Sequence, residues 1–356
     1  MSKRAFLSKK YEVDDFYQAI EMYFEKGWTD GLPIVPPVEA KVRQFIEYSG
    51  KDPSEILCEL PERRRIITIE KVAINAVMAG CLPQYMPVIL TAMEAMCEEP
   101  YNLHGSSAST GGAATLLIVN GPIVSKLGIN SGIDLFGPGC RANATIGRAL
   151  RLMLINVCGA IPGILDMSAM GHPGKYTYCI AENEVESPWE PYHVEKGFDG
   201  GTSTVTVLPA LSPHRVDDHI SNSAENILTS IASVMMRLCN YRQGNNYGLK
   251  FCVVIVGHEH MQVIKKNGWT KKEAKIFLHQ CATRSVADLK RWGMMSGAVD
   301  ARDETETVTA VKSAEDIILI VAGGSGGFSA CIAPWAYGIS CAPVIRPILP
   351  GLSKML

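Results

Sequence analysis

Apolar side chains recur every three to four residues over 12–27, where Phe16, Ile20, Tyr23 and Phe24 form one stripe, and this spacing predicts an amphipathic helix. The next segment, GWTDGLPIVPP (27–37), carries too much Gly and Pro for regular structure and reads as an ordered surface loop. A short helix is expected over 38–48. A longer, largely buried helical stretch is expected over 69–98, interrupted near Cys81-Leu82-Pro83. From Thr115 the pattern changes. TLLIVNGP (115–122), STVTVLPA (203–210), KFCVVIVGHEH (250–260) and DIILIVAGGSGGFSA (316–330) are apolar runs that close on turn residues, as buried strands do. Helices are expected over 141–159, over 221–242 behind a Ser/Asn cap region, and after the Thr of NGWTKKEAKIFLHQCA.

Three segments share one plan of apolar strand, polar or Gly loop and helix-like stretch: LLIVNGPIVSKLGIN, CVVIVGHEHMQVIKK and ILIVAGGSGGFSACI. No repeat of fixed period accompanies them. Strands alternating with helices predict an α/β fold with a mostly parallel sheet covered by helices. A mostly helical N-terminal region would span 1–110 and an α/β domain 111–356, or the two would form one continuous large domain. Ligands of such sheets bind outside the carboxyl ends of the strands. If the three strands neighbour one another, Asn120, His258 and the glycines of 323–327 lie close together.

Composition narrows the classes. The chain has 356 residues, 47% of them hydrophobic, enough for a sizeable core. A formal net charge of −2 gives no electrostatic reason to seek nucleic acid or an anionic membrane. A charged fraction of only 20% suggests that other subunits cover part of the surface, so a homo- or hetero-oligomer is expected. The start, MSKRAFLSKKYEVDDF, turns polar before a secretory apolar region could form, and no transmembrane run follows. Eleven scattered Cys without a C-x-x-C pair fit a reducing cytoplasm, where most would serve as small hydrophobes.

Four groups of residues could carry chemistry. The first is GGSGGFSAC (323–331). Gly323, Gly324, Gly326 and Gly327 would let backbone N–H groups converge on a carboxylate or phosphate, beside a helix N-terminus, with Ser325 or Ser329 adding a hydroxyl. The competing reading is a tight turn. The second is CRANATIGRALRL (140–152), where Arg141 would clamp an anion at a loop–helix junction or form ordinary ion pairs. Asn120, Asn130 and Asn143 join it as substrate-binding candidates. The third is histidine: His104 and His258 are candidate acid–base groups. In an extended chain His258 and His260 would point to one side and could hold a divalent metal, although no metal-ligand spacing supports one and no cofactor is predicted. The fourth is the loop 171–191, in which Lys175 and Glu182 would form an acid–base pair or a surface ion pair.

GWTDGLPIVPP, KVAINAVMAGC, GINSG, RANATIGRALRL, GHPGKYTYCIAENE and SPWEP together resemble the long members of the bacterial UGSC (seleno)protein-related family, from about Gly27 onward. Short members of that family resemble a Gly-Asp-Sec-Gly-Ser-Cys loop, which implies thiol or selenol redox chemistry. Here Ser325 stands at the Sec or Cys position and Phe328 at the second Cys. A hydroxyl cannot cycle through a disulfide. The resemblance also implies a hetero-oligomer with a small UGSC-type subunit. The expected function is a non-redox lyase, hydratase or hydrolase acting on a small carboxylate-bearing or otherwise anionic substrate. The alternatives are a thiol- or selenol-linked oxidoreductase and a non-catalytic partner of a small Cys or Sec protein.

Overall fold

The computed structural model describes residues 6–239, 248–335 and 341–349. The strands, in chain order, are β1 (Ile56–Leu60), β2 (Arg65–Thr68), β3 (Ala114–Asn120), β4 (Cys179–Ala181), β5 (Thr204–Ala210), β6 (His214–Asp217), β7 (Cys252–Val256), β8 (Thr283–Ser285), β9 (Thr307–Thr309), β10 (Ile317–Val321), β11 (Phe328–Ile332) and β12 (Val344–Pro347). β1–β2 and β8–β9 are small antiparallel pairs. The other eight strands form two four-stranded sheets, ordered β12-β5-β3-β4 and β10-β7-β11-β6.

Side-chain alternation sets the layers. In β7, Cys252, Val254 and Val256 pack on an outer helical layer, while Val253 and Ile255 join a core between the sheets. In β3, Leu117 and Val119 face helices, while Leu116 and Ile118 face the opposite sheet. A strand buried on both faces has no polar side, which is why these runs read as continuously apolar. The result is four layers: helices, sheet, sheet, helices.

The expected mostly parallel sheet is corrected. Each sheet is mixed, with one parallel pair (β3–β4 or β7–β10) and antiparallel neighbours on the other side. The cause lies in the connections out of β4 and β10. Each leads back to a strand that runs antiparallel beside the central one, β5 beside β3 and β11 beside β7, the first connection holding only a single helical turn, Tyr192–Glu195. The chain then exchanges partners. β6 leaves β5 to pair with β11, and β12 leaves β11 to pair with β5. At the crossing, Leu211 N–H donates to Ala333 O and Trp335 N–H donates to Pro209 O, two reciprocal bonds about one pseudo-two-fold axis. Two of the three look-alike segments, those of β3 and β7, are therefore equivalent by position, whereas β10 corresponds to β4.

Most expected helices form near their predicted bounds: Phe16–Glu25, Glu39–Ser49, Ile69–Ala79, Met86–Met96, Arg141–Asn156, Ala224–Leu238 and Lys271–Cys281. Residues 240–242 of the expected helix 221–242 lie outside the described residues. Thr270 and Glu273 make a reciprocal capping box at the start of 271–281. The helices of 69–96 share one hydrophobic cluster with β3, β5 and β12, so the N-terminal region packs on the first sheet. Cys58 and Cys97 are joined in a disulfide, and seven of the other nine cysteines are buried.

Candidate functional site

β3, β4, β7 and β10 all end at one end of the sandwich, where Asn183 N–H donates to Val321 O across the two sheets. Many of the candidate residues converge at this rim. Gly257, just after β7, sits so close to β11 that a Cβ would lie 2.0 Å from Phe328 O. A Cβ on Gly323 would lie 3.9 Å from Gly257 Cα, and φ of +101° at Gly323 keeps other residues out of that turn. His258 and the glycine loop are thus neighbours. The expected helix after the loop does not form: 323–327 leads into β11. The N–H groups of Gly324, Ser325, Gly326 and Gly327 donate to no protein acceptor among the described residues. Ser325 is exposed at the tip.

His258 and His260 do not share a side. They open a helix, His258–Lys266, that turns them apart. His258 Nδ1 lies 3.0 Å from Glu186 Oε2, while buried His260 lies 2.7 Å from Ser329 Oγ and 2.9 Å from Asp218 O. Both ring nitrogens of His260 serve protein groups, which leaves no lone pair for a metal. Among the described residues no group of three His, Cys, Asp or Glu is placed to hold a metal ion.

Beneath the rim the space between the sheets turns polar. Glu182 is buried, and its Oε2 accepts from Asn120 Nδ2 at 2.7 Å and from Tyr192 N–H at 2.8 Å. Burial pushes the Glu182 carboxyl up to about 7, with Lys271 and these donors pulling the other way. Glu182 does not meet Lys175, which lies at the opposite end.

The remaining candidates are held structurally. Arg141 Nε donates to Gly80 O at 3.0 Å, fixing the end of the helix 69–79. Asn143 Nδ2 donates to Asn130 O and Cys179 O, and its Oδ1 accepts from Asn130 N–H, tying the 130 loop to β4. His104 lies on the helix Leu103–Ala108, where its Nδ1 accepts from Arg63 Nε at 3.3 Å.

A cavity of about 690 Å³ opens at the other end of the sandwich, below β4. Its polar floor is a buried carboxylate with two cations. Lys175 Nζ lies 2.8 and 2.7 Å from the two oxygens of Asp166, and Arg151 donates to Asp166 Oδ2 at 3.1 Å. Side-chain exposures of 3% for Asp166, 12% for Arg151 and 14% for Lys175 put all three largely out of water. Burial penalises the Asp166 charge, but Lys175, Ser168 and Arg151 more than offset it, and its carboxyl lies below the usual range. Burial lowers Lys175, despite the help of Asp166. The pair is asymmetric: Asp166 has two cations, while Lys175 shares one anion with Arg151. The site therefore carries one positive charge in excess.

Comparison of the chain with family models, with curated proteins and with solved structures finds no match. The cavity thus stands on its own geometry.

The rest of the cavity supports that excess charge. Asp30, also on its wall, is taken up by Arg148 through two 2.8 Å bonds and adds no net charge. His172 accepts from Gly174 N–H at Nδ1 and reaches Ala210 O with Nε2, so it is a neutral imidazole with no free nitrogen. Burial lowers its pKa and keeps it so. Ile155, Pro162, Met170 and Tyr176 supply apolar wall. Sequence reasoning placed Lys175 in the site but paired it with Glu182. It missed Asp166 and passed over Arg151 as a ligand. The available signal was the helix spacing that sets Arg151 on the face of Arg148, which turns both toward the 27–33 and 160–176 loops.

Proposed function

We propose that the protein is a non-redox enzyme of the lyase, hydratase or hydrolase type. Its substrate is a small molecule bearing one carboxylate, bound in the cavity between Arg151 and Lys175. One observation carries this reading: a volume sized for a small ligand coincides with two buried cations that share a single carboxylate. Concave sites with a few convergent charged groups on an apolar wall are where small ligands bind. Arg151 offers guanidinium N–H groups beyond the one spent on Asp166, and the neutral His172 leaves the excess charge unquenched.

Titration calorimetry with acetate and propionate tests it. The wild-type protein binds one equivalent per chain. Lys175→Met weakens binding by roughly thirtyfold, the equivalent of about 2 kcal/mol for one hydrogen bond to a charged group. Binding unchanged in Lys175→Met, or no binding by the wild type, rejects the proposal.

A second reading, a partner subunit of a small Cys or Sec protein, draws on the opposite rim. Around the loop that carries Ser325 stand the exposed side chains of Ile133 (78%), Val185 (95%), Ile220 (95%) and Phe328 (37%). Exposed apolar rims of this kind suit a protein contact. Among the described residues no helix is long and apolar enough to cross a membrane.

A further inference from the structure

We infer that Lys175 is a Schiff-base nucleophile and that the molecule the cavity takes is an oxo acid, with its carboxylate on Arg151 and its carbonyl carbon at Lys175 Nζ. The inference rests on the proposed function above and names the reacting atom and the substrate class.

The argument begins with what surrounds the amine. Lys175 Nζ contacts both Asp166 oxygens and lies 2.5 Å from Ser168 Oγ, while Ser168 in turn donates to Asp166 Oδ1. All three residues line the cavity, so the amine is both enclosed by proton-handling groups and open to a ligand. A lysine that only neutralised Asp166 would need no Arg151 on the same carboxylate. Two cations on one anion weaken the hold on the ammonium, and Lys175 is lowered by burial first, with the Arg151 charge adding to it. A desolvated lysine beside another cation is the arrangement that makes an amine nucleophilic near neutral pH. Neither the His172 ring nor the Asp30–Arg148 pair competes for its proton.

The step balances without an outside reagent. The Lys175 ammonium passes one proton to Asp166. The freed Nζ lone pair forms the N–C bond, and the carbonyl π pair moves to oxygen, which takes the proton back from Asp166. The nitrogen then gives a second proton to Asp166, which relays it to the new hydroxyl. That hydroxyl leaves as water and an iminium remains. Both protons on the water come from the original ammonium. The iminium withdraws the electron pair of an adjacent C–C or C–H bond, the chemistry a lyase on a 2- or 3-oxo acid requires.

Borohydride trapping tests this. The protein is incubated with pyruvate or with acetoacetate, reduced, digested and mapped by mass spectrometry. Calorimetry with acetate runs in parallel on the wild type, and the trapping is repeated on Lys175→Arg, which has no nucleophilic amine. The expected result is a reduced adduct on Lys175 of the wild type with at least one of the two oxo acids. In Lys175→Arg that adduct is lost. Acetate binding without an adduct on Lys175 overturns the Schiff-base inference and leaves the anion site standing. No acetate binding by the wild type overturns the functional reading beneath it.

Discussion

Asp166→Ala costs about 3–5 kcal/mol of folding stability at neutral pH, the penalty for stranding buried charge. The substitution leaves the Lys175 ammonium and the Arg151 guanidinium, both largely buried, facing each other without an anion. It also frees Ser168 and removes the acceptor that fixes the start of the 166–168 turn. Denaturant titration measures the loss, and added acetate restores part of it, because a bound carboxylate would replace the missing one. A loss below about 1 kcal/mol, in the range of exposed ion pairs, would mean that water already compensates these charges.

Glu182→Gln changes how stability depends on pH. The folded-state carboxyl is raised from 4.5 to about 7 by burial. A raised folded value means that the folded protein holds the proton more tightly than the unfolded chain. The contribution is fully present below pH 4.5 and is lost as pH rises through about 7. The wild type is therefore expected to lose on the order of 3 kcal/mol from this group between those limits, because each tenfold difference in proton affinity is worth roughly 1.4 kcal/mol. Gln at this position keeps an oxygen for Asn120 Nδ2 and Tyr192 N–H but cannot ionise. The variant should show a flatter profile from pH 4.5 to 7 and exceed the wild type in stability above that range. Parallel profiles for the two proteins would place the titration elsewhere.

Much of the fold was legible because burial on both faces of a strand leaves an unmistakable apolar run. β3, β5, β7 and β10 all fall in such runs, and Thr270 announced its helix through a local cap. Strand direction was not legible. FSACI after the glycine loop carries no mark to distinguish a helix start from an antiparallel strand, and the pairing that decides it comes from β6 and β7, far away in sequence. The exchange of β6 and β12 between sheets is likewise a property of long-range pairing. His258 and the glycine loop came together as strand-end logic expects, because β7 and β10 are neighbours, while Asn120 ends β3 in the other sheet. That logic also pointed away from the cavity. Lys175 precedes β4 instead of following it, and its partner Asp166 lies in a loop, 161–170, whose sequence has no periodicity to place it.

The central claim is that the Lys175 cavity holds a small carboxylate. A crystal structure grown with 4-bromobenzoate tests it most directly, since the bromine can be located by its anomalous scattering. The account predicts the carboxylate at about 2.7–3.2 Å from Lys175 Nζ and the Arg151 guanidinium, with the ring against Met170 and Tyr176. A bromine found at the Gly323–Gly327 rim, with the Lys175 cavity unoccupied by the ligand, would contradict it.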